Sequence, residues 1–245
     1  MPTREQENPA GSDTVRAWIA RRVEADEQMR AARRQHTAEP AGISDPDDTH
    51  DAVTVLVRQH NQVQVLLKQL QALPSHTTGG TREQMSARKS VVDMISVRLA
   101  AHETAEEEHF WPAVRRLLPD GDELADGALQ QEQEGKDTLT ELARLDPDGR
   151  EFDELAERLV LQLRKHVAYE EKVFLRVRET ASAAKLEKIG RKLLATDKRA
   201  PTRPHPHAPQ QPPAAVKAAA AAAAVTDRAR DAAGSRPAHR KAKAE

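Results

Sequence analysis

The 245-residue chain carries 38 Lys+Arg against 39 Asp+Glu, only 2% aromatic residues and no cysteine. The missing cysteine excludes disulfides, thiolate metal sites and a cysteine nucleophile, and it fits a reducing compartment. Ala, Leu, Glu, Gln, Arg and Lys dominate, and alternating clusters of β-branched and aromatic residues are absent, so the expected fold class is all-α.

The near-neutral total hides an asymmetry. Residues 198–245 hold 10 Lys+Arg and 3 Asp+Glu, a charge of +7, and the preceding 197 residues carry −8. An acidic body with a basic tail is therefore expected. The first residues, MPTREQENPAGSD, lack the apolar core of a signal peptide, and no apolar run has the length of a membrane span. These features lead to the expectation of a soluble, cytoplasmic protein with no membrane partner.

In chain order, residues 1–12 look disordered. Residues 13–36 have helical character, with Val15, Trp18, Ile19 and Val23 on one side, and residues 37–47 form a Pro/Gly-containing linker. Four long helices are expected next. The first runs from about Asp48 to Ala72 and stops near Pro74. The second runs from Arg82 to Leu117, with Thr81 and Gln84 as a capping box and Pro112 as a kink or stop. After the Pro119-Asp120-Gly121 turn, the third covers Asp122 to Leu145. After Asp146-Pro147-Asp148-Gly149, the fourth covers Arg150 to Thr180, with Asp148 and Glu151 as a capping pair. A short fifth helix, Ser182 to Ala195, is expected at the end of the bundle. The domain expectation is an extension at 1–47, an antiparallel up-down four-helix bundle at 48–196, and a disordered Ala/Pro-rich basic tail at 197–245.

Each long helix has an inward stripe with three- and four-residue steps. Helix one gives Val53, Leu56, His60, Val63, Leu67 and Leu70. Helix two gives Val92, Ile95, Leu99, His102, Glu106, His109 and Ala113. Helix three gives Ala125, Ala128, Glu132, Gly135, Leu139 and Leu142. Helix four gives Phe152, Leu155, Leu159, Leu163, His166, Glu170, Val173 and Val177. The stripes are apolar except at their middles, where the titratable residues fall. An internal repeat supports the alignment, because His102 and His166 are each followed by Glu at +4, Glu at +5 and Phe at +8.

The expected inner cluster is His60, His102, Glu106, Glu132, His166 and Glu170. A buried, unpaired carboxylate costs several kcal/mol. Three on one level, with no lysine or arginine on the stripes, call for bound cations. Imidazole and carboxylate together suit iron, manganese or zinc. The plainer alternative is a polar layer of neutralising His–Glu pairs. His109 shares the helix-two stripe but is expected to be structural. Glu107, Glu108 and Glu171 are expected on solvated faces, Tyr169 at the periphery, and Phe110 and Trp111 in the packing.

Residues from about Asp48 to Arg178 resemble the hemerythrin-like, HHE cation-binding family. The resemblance rests on His60, on His102-x3-Glu106 with Glu107, on His166-x3-Glu170 with Glu171, and on the HFWPAV segment from His109 to Val114. It implies a four-helix bundle with a non-haem di-iron centre that binds, senses or handles oxygen, iron, nitric oxide or peroxide. The departure is in helix three, where the family supplies a histidine and this chain offers Glu132, with Gln133 beside it. A carboxylate there favours the ferric state, hence redox chemistry or sensing over reversible oxygen carriage. Two further expectations stand beside this one: an enzyme that turns over peroxide or nitric oxide, and a nucleic-acid-associated protein using its basic tail for phosphate contacts.

Overall fold

The computed structural model of the protein describes residues 50–211 and 213–234. The expected helix at 13–36 lies outside these residues, as do Arg236, Arg240, Lys241 and Lys243, on which nucleic-acid contact through the tail would depend. The described residues are all-helical and contain no strand. No helix among them is long and apolar enough to cross a membrane.

Helix α1 spans Ala52–Ala72. Asp51 caps it, with Oδ1 accepting from the Thr54 N–H at 3.0 Å, which satisfies one of the donors a helix start leaves unpaired. Helix α2 spans Arg82–Ala105 and opens with the expected capping box: Gln84 N donates to Thr81 Oγ1, and Thr81 N donates to Gln84 Oε1. The run continues as a π turn, Glu106–Phe110, and then as α3, Trp111–Leu117. Pro112 neither breaks the run nor leaves it regular. Its ring would crowd the carbonyl one turn back and it offers no N–H, and the π turn that precedes it widens the backbone by one residue.

Helix α4 spans Gly121–Arg144, α5 Arg150–Thr180 and α6 Ala183–Asp197. Their bounds fall within two residues of those expected. The capping pair Asp148/Glu151 does not form: the N-cap of α5 is Gly149, with no side-chain cap. Helix α1 packs on α2, α5 and α6, and α4 packs on α2, α3 and α5. Gly190 lets α6 meet the chain entering α1, because a Cβ there would sit 1.6 Å from the His50 carbonyl oxygen.

Two apolar clusters form the core. One gathers Leu56, Phe110, Ala128, Val173 and Phe174, and the other gathers Val63, Leu99, Leu139, Leu159 and Leu163. The expected polar residues lie on each helix between members of the two clusters. Every expected stripe residue is buried except His109, which is half-buried.

The expected disorder of the tail is corrected for residues 213–234, which form helix α7, Pro213–Gly234. Val216, Ala220 and Ala224 are buried, and α7 packs on the π turn and on α2. An alanine stripe carries little hydrophobic signal, yet its small side chains allow close approach. Buried Asp227 supplies the specificity. Its Oδ2 accepts from the N–H groups of Thr202 and Arg203 and lies 3.0 Å from His205 Nε2. Asp227→Ala should leave those N–H groups unsatisfied, at a cost of about 1–3 kcal/mol. Hydrogen exchange should then show α7 amides losing protection while α1, α2, α4 and α5 keep theirs.

Candidate metal centre

All six expected residues are buried, none more than 2% exposed. They fall into two groups that could each hold a cation: His60, His102 and Glu170, and Glu106, Glu132, His166 and Glu170. Within each group the candidate ligand atoms lie within 4.8 Å of one another, and Glu170 belongs to both.

Helical spacing explains the arrangement. His102 and Glu106 are one turn apart on the same face, with Nε2 and Oε2 3.2 Å apart. His166 and Glu170 repeat the geometry, with Nε2 and Oε1 3.3 Å apart. Glu170 Oε2 also lies 3.0 Å from His60 Nε2 and 3.8 Å from His102 Nε2. The phenylalanines at +8 in the two motifs meet as well: Phe110 and Phe174 pack edge to face, and Phe174 stacks on the His60 ring.

Several polar atoms here have no hydrogen-bond partner: His102 Nε2, both nitrogens of His166, both oxygens of Glu106, Glu132 Oε2 and Glu170 Oε1. Buried polar groups are ordinarily paired, and a concentration of orphans facing one another is a lining that a bound cation would satisfy. His102 shows it most directly. Its Nδ1 donates to Gln59 Oε1 at 3.0 Å, while Gln59 Nε2 donates to Asp197 on α6. That chain leaves Nε2 as the lone-pair nitrogen facing Glu106 and Glu170, the orientation that metal-ligating histidines usually receive from an outer partner.

The protonation states agree. Burial pushes His102 down to about 4, aided by His60, and burial also lowers His166, so both imidazoles are neutral. Burial drives Glu106 well above the ordinary carboxylate range, reinforced by Glu170. Burial does the same at Glu132, against the pull of Lys136. Glu170 goes the other way: burial opposes its ionisation, but His166, His102 and His60 outweigh it. The donor set of neutral imidazoles and carboxylates fits a hard or borderline divalent cation.

Two expectations fail here, and two further charged side chains are also buried. Glu107 and Glu108 are buried rather than solvated, and so is Glu103. Lys136, expected on no stripe, is also buried and contacts Glu107, with Glu103 and Glu132 each 3.6 Å from its Nζ. Glu108 pairs with Arg199 from beyond α6. For the residues after Glu106 the π turn is the reason. It rotates the helix after Glu106, so His109 turns to Thr196 Oγ1 at 3.0 Å and belongs to neither group. Trp111 swings inward instead, and its indole N–H donates to Glu132 Oε1 at 2.9 Å. Gln133 points away and donates to Asp137. Glu171 stays half-exposed, and Tyr169 is peripheral, its hydroxyl donating to the Leu124 carbonyl. The spacing of Lys136, four residues after Glu132, was the one visible sign of the acid–lysine network. The π turn had no sequence signal except Pro112.

The sequence matches the family described as Hemerythrin HHE cation binding domain over residues 51–177, just over half of the chain. The chain belongs to that family. No curated protein and no solved structure matches it.

In the metal-free protein Glu103 is pushed up to about 8 by burial, from an ordinary 4.5. Between pH 6.5 and 8 the folded chain therefore holds protons that the unfolded chain has released, so stability falls as pH rises. The lowered histidines act at lower pH: below about 6.5 the unfolded imidazole takes a proton that the folded one refuses. Thermal unfolding of the chelated protein should show Tm falling from pH 6.5 to 8. Addition of a divalent metal should abolish that slope and release protons into an unbuffered solution.

Proposed function

We propose that residues 48–196 form an antiparallel up-and-down four-helix bundle that binds a pair of non-haem iron ions. Manganese and zinc are the alternatives with the same donor preference. His60, His102, Glu106, Glu132, His166 and Glu170 would be the ligands. The observation that carries this reading is the sharing of Glu170 between the two groups, which is what a bridging carboxylate requires. A pair of iron ions would supply one-electron chemistry and positions for small ligands such as dioxygen, nitric oxide or peroxide.

The chain's own residues have distinct parts in this reading. His102, oriented by Gln59, and His60, stacked on Phe174, present imidazoles at one end. Glu132, held by the Trp111 indole, supplies a carboxylate where the family supplies an imidazole. Anionic ligands favour the higher oxidation state. We therefore assign the protein to sensing or handling of oxygen, iron or redox state rather than to reversible oxygen carriage. Turnover of peroxide or nitric oxide is the enzymatic form of the same reading. The apolar clusters on both sides of the centre exclude water and raise the strength of every charge interaction inside it.

Elemental analysis of protein purified without a histidine tag should find about two metal ions per chain. At a hundredfold excess of metal over its Kd, the linkage gain should be about 2.7 kcal/mol. Glu170→Gln should lose both ions and Glu132→Ala should keep one. A metal-free protein whose thermal stability is unchanged by added iron, manganese or zinc would reject the proposal.

A further inference from the structure

The buried acids outnumber the proposed ligands. Glu103 and Glu107 bear no metal-ligand role, yet they sit at 2% and 6% exposure beside Lys136, itself 8% exposed. Glu107 contacts the ammonium, and Glu103 and Glu132 each lie 3.6 Å from Nζ. The carboxylate group is thus continuous from the candidate centre, through Glu132 and Lys136, to Glu103 and Glu107. Lys136 approaches one of the two candidate groups through Glu132 and contacts no ligand of the other.

We propose that Lys136 is a resident counter-cation that sets the charge of the centre, and with it the oxidation state of the ions the centre favours. The inference rests on the di-iron reading above. When ionised, Glu103, Glu106, Glu107, Glu132 and Glu170 carry five negative charges, and Lys136 leaves a net −4. Two divalent ions neutralise that sum. A buried region tolerates little residual charge, so the sum decides which ions are stable in it. Without Lys136 the sum is −5, and the centre gains by holding one ion in the trivalent state. Five carboxylates pull toward the ferric state, and Lys136 restrains them. A merely structural lysine would hold the acids in place without moving that balance.

The test is a charge cycle on the full-length, iron-loaded protein, read as the midpoint potential. Lys136→Met removes one positive charge and should lower the potential, raising the oxidised-to-reduced ratio at a fixed electrode potential by about tenfold or more. Glu107→Gln removes one negative charge from the other side of the same pair and should shift the potential upward. The double variant returns the sum to −4 and should lie near the wild type, and Lys136→Arg should match the wild type. Metal content and hydrogen exchange, measured on each variant, establish that it folds and holds two ions. If Lys136→Met fails to fold, the upward shift of Glu107→Gln still decides. Loaded variants that share the wild-type potential would overturn the proposal while leaving the di-iron reading intact. A wild type that takes up no iron would overturn both.

Discussion

The structure turns on the placement of several carboxylates at one level inside an otherwise apolar bundle. Desolvating an isolated carboxylate costs several kcal/mol, and helix packing alone does not offset that. The protein meets the cost in two ways. Part of the negative charge is matched internally by Lys136, which lies among Glu103, Glu107 and Glu132. The other two carboxyl groups, Glu106 and Glu170, face imidazoles and unpartnered nitrogens. Such a layer is poorly compensated in itself, and the compensation it lacks is of cationic sign.

The π turn decides which residues share in that layer. Glu106, Glu107 and Glu108 are consecutive, and on a regular helix they would spread over most of the circumference. With one extra residue in the turn, all three are buried, each toward a different partner: Glu106 toward the histidines, Glu107 to Lys136 and Glu108 to Arg199. The same extra residue turns His109 away and brings Trp111 to Glu132. Pro112 stands two residues after the turn, where its missing N–H and its ring disfavour a regular helix through the turn. A π turn next to a functional cluster is a recurrent device, because it moves side chains around the helix axis without ending the helix.

Much of this was legible in the sequence. The six residues of the two candidate groups stand at stripe positions that three- and four-residue steps identify, and the repeat from His102 to Phe110 and His166 to Phe174 aligned them. The helix bounds followed from Thr81, Pro74, Pro119 and Pro147, whose local chemistry leaves the backbone few options. What escaped had weak local signals. Lys136 lies off the stripe, and a long side chain can reach the interior from a flanking position. Glu103 and Glu107 look like the solvated side of an amphipathic helix unless the neighbour covering them is known. That neighbour is partly α7, whose alanines read as low complexity. Asp227, which ties α7 to Thr202 and Arg203, is one of three acids in a basic segment.

The segment beyond the family domain therefore bears on the electrostatics of the centre. Pro201, Arg203, His205, Val216 and Ala220 wall a cavity of about 30 Å³ whose other side includes Glu107 and Lys136. That volume is about what one water needs. Removing bulk water from the Glu107–Lys136 pair lowers the local dielectric, and each charge in the network then acts on its neighbours more strongly than it would at a surface. Lys136 would be a screened, near-neutral salt bridge if solvent reached it. Beneath α7 and the 201–209 segment, its charge persists as far as Glu132. The C-terminal helix, packed on the π turn, thus helps to cover Glu107 and Lys136.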